Sequence, residues 1–497
     1  MSMLKKLSHP FYLILLPIFF VLHGYLENVG FISPGLTLGL TAIYLLATIC
    51  LGGLFWFFLR NKVKAALMAF ACMCFFFFFG AILDFLKQFT GFLSHYGVLL
   101  PGIFIVLVIL FIYLRRTNRS FVRLTIFLNL LFLVYTIIDL TGLINKILHP
   151  GQQKLSVYGF TTQQVHRTCD TCRKPNIYFL LMDEYASSLS LQQQYHFNND
   201  IDSFLQQRKF RVLPHSRSNY NFTPFSMASI LNMQYLDGIK NPRAVVGAEY
   251  KACSLVVRNN LVLKLLDAYG YDFYNYSNFD MPGHPALVLQ PLLPVQTKLI
   301  TDRTLFSRTD KDIGWLLKQK FPFKYLVPNP VIVHRQMPLD MAALVKERAA
   351  QPKSKPFFVY AHFNMPHTPY YFDKDGRPRD PQVVYNEMAA YPVQPYLDYV
   401  QFTNIHLKKL VTFIQQHDPT AVIMVYGDHG FRRHTNDYFP MYHFQNLNAV
   451  YLPNQDYTLF YDSITGVNQF RVLFNTIFHQ QLPLLKDSCV YLIDKIK

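Results

Sequence analysis

The chain has 497 residues, which is long enough for more than one domain, with 51% hydrophobic and 15% charged residues. The distribution along the chain is uneven, because Leu, Ile, Phe and Val dominate up to Asn145 and polar residues are spread through the rest. This excludes a protein of uniform composition. The net charge of +17 suits a domain beside an anionic lipid surface, or an ordinary solvated basic surface, and identifies no substrate.

The N-terminal part contains five apolar segments that are candidates for membrane spans, since a hydrocarbon core of roughly 30 Å needs about 20 helical residues. They are Phe11–Leu26, Leu36–Leu59, Val63–Leu86, Val98–Leu114 and Phe121–Leu143. A cleaved signal peptide is the alternative for the first segment, which is short. No small-residue cleavage site follows it, and four more apolar segments do, so we expect an uncleaved anchor.

The loops between these segments differ in charge, and this difference predicts the orientation. Lys and Arg are concentrated in alternate loops, such as those around Lys62 and Arg116, whereas the other loops hold a single Lys. Loops rich in Lys and Arg stay in the cytoplasm. Five spans with a cytoplasmic N-terminus therefore place the chain after about Lys146 outside the cytoplasm.

Cysteine usage is compatible with an oxidising compartment. Beyond the membrane segments the chain has four cysteines, an even number, which permits disulfides. The Cys169–Cys172 spacing also occurs in redox and zinc motifs, but there is no second such pair. A structural disulfide near the entrance to the domain is the preferred interpretation.

The first polar residues of interest follow an apolar run at residues 176–182, which is typical of a strand buried on both faces of a parallel sheet. The run ends in Asp183 and Glu184. Acidic residues in this position either cap a helix or bind a metal. The metal interpretation is favoured because residues 185–191 show no clear helical period.

A helix start is predicted at Thr223, which is followed by Pro224. Thr caps free amide groups, and proline is favoured in the first turn. The same position favours a phosphate or sulfate, because backbone amides and the helix dipole point towards it. Taken alone, a simple capping role for Thr223 remains open.

Two further apolar runs end in polar groups. Residues 356–361 lead to His362 and His367; we expect His362 to be a core histidine and His367 to lie in the site. Residues 421–427 lead to Asp428 and His429, whose oxygen and nitrogen atoms suit Zn, Mn or related ions. Ligands collect at the carboxyl ends of strands in open α/β sheets. The alternation of strands and helices predicts an α/β domain with a mainly parallel sheet sandwiched by helices.

The ordered set of Asp183, Thr223, Pro366-His367 and Asp428-His429-Gly430 resembles the alkaline phosphatase and sulfatase superfamily. Within it, the five membrane segments before an outward domain resemble the branch of lipoteichoic acid synthases and phosphoethanolamine transferases. The resemblance covers residues from about Pro175 to Leu485. It implies an alkaline phosphatase-like fold and a sulfatase-like catalytic domain.

By this resemblance Asp183, Thr223, Asp428 and His429 are metal ligands, and Thr223 is also the nucleophile that forms a covalent phospho-enzyme intermediate. His367 would contact the transferring phosphoryl group or the leaving oxygen. Candidates for a further ligand or a substrate contact are Glu184, Arg432, His434 and His443. The implied cofactor is a divalent metal, Mn or Zn; one ion is expected, and a second remains open.

Two departures from the family pattern limit the prediction. Sulfatases proper use a Cys or Ser in a Cys/Ser-x-Pro-x-Arg motif, and Thr223-Pro-Phe-Ser offers neither. This argues against sulfate ester hydrolysis. No Asp-x-x-x-His group for a second metal site is evident either, so a single metal is expected.

We therefore predict three parts: a five-helix membrane domain at 1–148, a linker at 149–174 and a catalytic domain at 175–497. The predicted function is transfer of a phospho-alcohol head group, of phosphoglycerol or phosphoethanolamine type, from a phospholipid to an envelope glycan or lipid, with no nucleic-acid partner. The predicted location is the bacterial cytoplasmic (inner) membrane, with the catalytic domain periplasmic or extracellular. The alternatives are a phosphodiesterase or sulfatase-like hydrolase and, in another class, a non-catalytic membrane sensor or transporter.

Overall fold

The computed structural model describes residues 8–29, 32–148, 172–287, 297–320, 330–352, 354–387, 390, 392–432 and 441–494. The chain forms two compact units. The first, called here the membrane unit, comprises Met1–Gln153 and Gln290–Asn329, and the second, the catalytic unit, comprises Lys154–Leu289 and Pro330–Lys497. The domain limits expected from the sequence, at 148 and 175, stay a prediction.

The N-terminal part of the membrane unit is helical. Its helices are α1 (Tyr12–Glu27), α2 (Pro34–Leu59), α3 (Lys62–Lys87), α4 (Tyr96–Arg116) and α5 (Val122–Leu148). Four of them, α2 to α5, are long and apolar enough to cross a membrane, whereas α1 has only 16 residues. The chain is therefore a membrane protein with four apolar helices of spanning length, and the span predicted at α1 stays a prediction.

Apolar side chains on these helices point outward as well as inward. Leu38 is 70% exposed and Phe104 is 67% exposed, which would be costly in water but is expected for a surface that faces lipid tails. A smaller core forms between the helices, where Tyr12, Leu16 and Phe77 are fully buried.

A later part of the chain packs on these helices within the same unit. It contains α11 (Lys298–Thr301) and α12 (Leu305–Lys320). The Gly80 amide of α3 donates to the Arg303 carbonyl (2.7 Å), Arg308 forms an ion pair with Asp84, and the Tyr96 hydroxyl donates to Asp312 (2.7 Å). These contacts join the start of α12, and Arg303 just before it, to the membrane helices, and α11 belongs to the same unit.

The catalytic unit is built on one six-stranded sheet. Its strands are β1 (Ile177–Met182), β2 (Arg211–Val212), β3 (Asp272–Tyr276), β4 (Phe357–Phe363), β5 (Val422–Gly427) and β6 (Asn448–Tyr451), in the order β2-β6-β5-β1-β4-β3. β5, β1, β4 and β3 are parallel, whereas β6 and β2 pair antiparallel at one side. The mainly parallel sheet is confirmed.

Helices cover both faces of this sheet, which is why β1, β4 and β5 are buried at every position. They are α6 (Ser188–Tyr195), α7 (Ile201–Gln207), α8 (Thr223–Asn232), α9 (Gly247–Arg258), α10 (Leu261–Ala268), α13 (Pro330–Ala350), α14 (Pro381–Glu387), α15 (Val393–His417) and α16 (Gly466–Phe478). One apolar cluster contains side chains of α8, α9, α10 and α16, and a second contains side chains of α6, α7, α13 and α15. The predicted sandwich of helices around a sheet is thus confirmed.

Cys172 lies just before β1 and is disulfide-bonded. Its expected partner, Cys169, lies outside the described residues. The linker predicted at 149–174 lies largely outside them as well.

Candidate metal centre and nucleophile

The central strands deliver polar side chains to one edge of the sheet. Asp183 follows β1 directly, and Asp428 and His429 follow β5. β1 and β5 are neighbours in parallel register, with Met182 paired to Gly427. Because both strands end at the same level, Asp183 and Asp428 emerge side by side. All three side chains are buried.

Asp183, Asp428 and His429 form a group that could hold a metal ion. One ligand atom from each lies within 4.8 Å of the others. The His429 Nε2 atom is 3.3 Å from Asp428 Oδ2 and 3.9 Å from Asp183 Oδ1. Two carboxylates and one imidazole are a ligand set that binds Zn and similar divalent ions.

The tautomer of His429 is fixed by its backbone contact. Its Nδ1 atom lies 2.9 Å from the Gly430 carbonyl oxygen, which can only accept, so Nδ1 carries the proton. In the neutral ring, Nε2 then carries a lone pair and faces the two carboxylates. A backbone partner on the opposite nitrogen is the usual arrangement for a histidine that binds a metal.

The pKa values of the three groups reflect burial and charge. Burial and the nearby Arg432 lower the pKa of His429 to about 3, which keeps the ring neutral. Burial and the charge of Asp183 raise the pKa of Asp428 to about 6. Burial opposes ionisation of Asp183 too, but His367, His362 and His429 outweigh it and hold its pKa well below its usual range.

The hydrogen bonding of Asp428 tests whether this group fits a cation. Its Oδ1 atom accepts from the amides of Glu184 (2.9 Å) and His429 (3.0 Å). Its Oδ2 atom is buried and has no hydrogen-bond donor among the described residues. A buried acceptor beside a second carboxylate and a neutral imidazole lone pair is unfavourable unless a cation lies between them. The residues present therefore fit a divalent metal.

Thr223 lies next to this group. It is the first residue of α8, and Phe222, rather than Thr223, occupies the N-cap position. The Thr223 hydroxyl oxygen is 3.4 Å from Asp183 Oδ1 and 3.3 Å from His429 Nε2. It is half-buried, whereas Asp428 and His429 are fully buried. The capping role that the sequence left open is not seen, because the hydroxyl points at the acidic group instead of at the helix amides.

The structure brings one further residue, His362, to this group. His362 is a buried histidine of β4, as expected, but its Nε2 atom is 3.5 Å from Asp183 Oδ2. Its Nδ1 atom is 3.1 Å from the Tyr360 hydroxyl. His362 reaches Asp183 because Leu181 pairs with it across β1 and β4. Only this strand register could have revealed the contact.

Glu184, His367 and Arg432 form a second polar group beside the first. Glu184 Oε1 accepts from the Arg432 amide (3.0 Å) and from its Nε (3.2 Å), and Oε2 is 3.7 Å from His367 Nε2. Arg432 Nη2 is 3.0 Å from His367 Nε2. The carboxylate of Glu184 therefore faces Arg432 and His367. Glu184 is not one of the residues that make up the buried metal group found in the described part of the chain.

The state of His367 follows from these contacts. Burial lowers its pKa, but Asp183 and Glu184 more than offset this, so the pKa is raised overall. A guanidinium can only donate, however, so the contact with Arg432 requires Nε2 to accept. Nδ1 meanwhile contacts the Thr368 carbonyl and must donate to it. His367 thus lies between Arg432 and a backbone carbonyl, beside two carboxylates that favour its charged form.

The remaining predicted residues lie as follows. His443 contributes its carbonyl, which accepts from the Gly430 amide (2.8 Å), and its ring contacts Tyr442 and Tyr491. This approach requires glycine, because a Cβ atom at Gly430 would lie 2.1 Å from the Tyr442 carbonyl oxygen. His434 lies outside the described residues. Roles for both histidines in binding stay predictions.

An α/β sheet with buried acidic and imidazole groups at its strand ends, next to a hydroxyl at a helix start, has the components of a site for metal-assisted catalysis. Residues 267–474 match the family model described as Sulfatase. The matched region contains His362, His367, Asp428 and His429 and begins after Asp183 and Thr223. This part of the chain, less than half of its length, is therefore similar to enzymes of the sulfatase family.

Solved structures with a similar fold include domains of phosphoethanolamine transferases. The C-terminal periplasmic domain of EptC from Campylobacter jejuni is 10% identical, over 61% of this chain and 90% of that chain, with a TM-score of 0.37. The corresponding domain from Escherichia coli, in complex with Zn, is 9% identical, over 67% of this chain and 92% of that chain, with a TM-score of 0.39. A comparison with curated protein sequences finds no match.

Proposed function

We propose that this enzyme transfers a phospho-alcohol head group, of phosphoglycerol or phosphoethanolamine type, from a membrane phospholipid to an envelope glycan or lipid. The reaction would proceed through a phosphothreonine at Thr223. The observation that carries this proposal is the position of the Thr223 hydroxyl, which lies 3.4 Å from Asp183 and 3.3 Å from His429. A hydroxyl held beside a metal-binding group is suited to nucleophilic attack on phosphorus.

The chain's own residues would divide the work as follows. Asp183, Asp428 and His429 would bind one divalent ion, Mn or Zn, with Thr223 as a further ligand. When bound, the ion supplies Lewis-acid stabilisation of negative charge on oxygen. His367 would contact the phosphoryl group or the leaving oxygen, and it lies on the same side as Arg432.

The reaction would have two halves. In the first, the Thr223 hydroxyl gives up its proton as its oxygen bonds to phosphorus, the bond from phosphorus to the lipid oxygen breaks, and the released diacylglycerol takes up a proton. In the second, an acceptor hydroxyl gives up its proton and bonds to phosphorus, the bond from phosphorus to the Thr223 oxygen breaks, and the Thr223 oxygen takes up a proton. Thr223 is half-buried, so substrate can reach it while its buried neighbours stay shielded from water.

Several features support a membrane lipid as the donor and a site outside the cytoplasm. The same chain carries four helices of membrane-spanning length. The basic loops predict that the catalytic unit follows the last helix on the outer side of the bacterial cytoplasmic membrane. The disulfide at Cys172 agrees with an oxidising compartment.

A hydrolase of the same superfamily is the second candidate, and the match to the sulfatase family model favours it. Its first half-reaction would be the same, with water in place of the acceptor. Thr223 stands where sulfatases proper need Cys or Ser, which favours a phosphodiester over a sulfate ester. The two candidates differ in whether turnover needs an acceptor.

The experiment uses the full-length chain in detergent micelles with a phospholipid labelled in its head group. We expect a covalent head-group adduct on the peptide that contains Thr223, detected by mass spectrometry. We expect no adduct and no turnover for Thr223→Ala, with an unchanged circular dichroism spectrum. Thr458→Ala removes an exposed threonine that bonds only locally to Asp456 and serves as the matched control. Unchanged turnover by Thr223→Ala would contradict the proposal, and release of head group without any acceptor would favour the hydrolase.

A further inference from the structure

Glu184 occupies an unusual position for a residue that follows a strand. Its backbone is left-handed, with φ of 61°, which is strained for a residue with a side chain. The conformation is held by two bonds: the Glu184 amide donates to Asp428 Oδ1 (2.9 Å), and its carbonyl accepts from the Tyr396 hydroxyl (2.9 Å). The result is that Asp183 and Glu184 direct their carboxylates to different neighbours.

The neighbour of the Glu184 carboxylate is Arg432. Glu184 is fully buried, and a buried carboxylate needs a charged or strongly donating partner. Arg432 supplies two donors to the same oxygen, from its amide and its Nε. These two bonds fix both the backbone and the side chain of Arg432, which is more than a surface ion pair would do.

The guanidinium of Arg432 lies over the ring of Phe222, at the start of the helix that carries Thr223. Its Cζ atom lies 5.2 Å from the centre of the Phe222 ring, a distance at which a cation and an aromatic face attract. Phe222 directly precedes Thr223. The Nη2 atom of Arg432 is 3.0 Å from His367. One cation is thus held by a carboxylate, by an imidazole and by the ring of the residue that precedes Thr223.

We infer that Glu184 is a positioning residue, and that it holds Arg432 so that the guanidinium binds an oxygen of the phosphoryl group that Thr223 attacks. This inference rests on the proposed function and sharpens its substrate class. A fixed guanidinium beside the nucleophile selects an anionic phosphodiester over a neutral ester. It also separates two adjacent acidic residues by role: Asp183 belongs to the metal group, and Glu184 acts through Arg432.

The test is a double-mutant cycle on the full-length protein in micelles, with inorganic phosphate as the probe. Affinity for phosphate is measured by calorimetry, and bound metal is measured by elemental mass spectrometry. We expect Glu184→Gln and Arg432→Ala each to weaken phosphate binding by roughly tenfold, the scale of directly coupled residues. Both variants keep the metal content of the wild type. Glu184→Gln in the Arg432→Ala background causes no further loss.

Turnover of a soluble phosphodiester adds a second readout. Glu184→Gln is expected to raise KM more than it lowers kcat, and Arg432→Lys is expected to recover only part of the affinity because lysine cannot present the same donors. Glu387→Gln is the matched control, since Glu387 makes two bonds to Arg379 on and beside α14. It should leave phosphate affinity unchanged.

Three results would overturn the inference. Loss of metal from Glu184→Gln, reversed by added metal, would make Glu184 a ligand. Losses that multiply in the double variant would make Glu184 and Arg432 independent. Unchanged phosphate affinity in both single variants would remove the anion site. Because affinity and metal content need no turnover, a wild type without a Thr223 adduct would refute the proposed function while leaving this cycle interpretable.

Discussion

The carboxylates on the membrane helices differ from the two that meet at the strand ends of the catalytic unit. On the membrane helices, Asp84 pairs with Arg308, and Asp139 and Glu27 both lie within ion-pair distance of His23. At the strand ends of the catalytic unit, Asp183 and Asp428 instead converge on one neutral imidazole. Paired charges hold helices together, whereas converging charges of one sign weaken a fold until a cation binds. The contrast separates groups that stabilise the structure from groups that bind.

The strongest test of this contrast compares two buried aspartates at opposite ends of β5. Asp418 precedes the strand and accepts hydrogen bonds from Asn176 (2.7 Å) and Tyr178 (3.1 Å), whereas Asp428 follows it. We expect Asp428→Asn to remove the bound metal and to lower turnover by roughly 10²–10³-fold or more, the scale for loss of a charge-stabilising group. Elemental mass spectrometry and kinetics measure both effects.

Asp418→Asn is the control for that variant. It should weaken the fold by about 1–3 kcal/mol, because its donors lose a charged partner, while the metal content stays that of the wild type. Equal metal loss in both variants would mean that buried charge in this sheet, and not the Asp183-Asp428-His429 group, governs metal content.

The next largest effect is expected in the membrane unit at Arg308. Arg308 is 15% exposed and Asp84 is 46% exposed, so the pair is shielded only in part. Arg308→Gln leaves Asp84 without its cation, and we expect a loss of about 1–3 kcal/mol, less than for a fully buried pair. Thermal unfolding in micelles measures the loss. Adding Asp84→Asn to Arg308→Gln should restore part of the lost stability. A double variant that is no more stable than Arg308→Gln alone would count against the pairing.

A smaller effect is expected from steric contact alone. A Cβ atom at Gly80 would lie 2.8 Å from the Arg303 carbonyl oxygen and 2.9 Å from its Cα atom, and backbone atoms cannot move away easily. Gly80→Ala should cost about 1–2 kcal/mol. Hydrogen–deuterium exchange of the peptide from Lys298 to Asp312 should become faster.

Gly53→Ala on α2 is the matched variant, because nothing lies within 4 Å of its Cβ position. Exchange of the same peptide should not change. If Gly53→Ala and Gly80→Ala change the stability and the exchange rate equally, the close approach of α3 to Arg303 does not contribute to stability.

The smallest effect is expected at a surface ion pair of the catalytic unit. Arg211 and Asp462 are 2.8 Å apart, and both side chains are nearly half exposed. Solvent screens such a pair, so Arg211→Ala should change stability by at most about 1 kcal/mol and leave metal content unchanged. A larger loss in thermal unfolding would show that exposed pairs here contribute as much as the shielded pair at Asp84.

Much of the site was predictable because it depends on local patterns. Apolar runs that end in Asp183, His367 and Asp428 predict parallel strands with polar groups at a common edge, and the structure brings these residues together. Thr223-Pro224 predicts a helix start. These patterns need no knowledge of which strands are neighbours.

What the sequence could not give depends on tertiary contacts. His362 was assigned to the core, and only the register of β1 on β4 places it against Asp183. Glu184 carries a carboxylate directly after a strand, as a metal ligand would, but its left-handed backbone turns the side chain towards Arg432. Arg432 lies 248 residues away in sequence. The segment around Arg303 and Arg308 packs on distant helices, so no local period reveals its place.

We expect Asp183, Asp428 and His429 to hold one divalent ion beside Thr223. Anomalous diffraction from crystals of the full-length protein, recorded at the Zn and Mn absorption edges, tests it most directly. We expect one strong peak about 2.0–2.2 Å from the nitrogen and oxygen atoms of that group, next to the Thr223 hydroxyl. A fully occupied peak elsewhere, or none at this group in metal-loaded crystals, would contradict it.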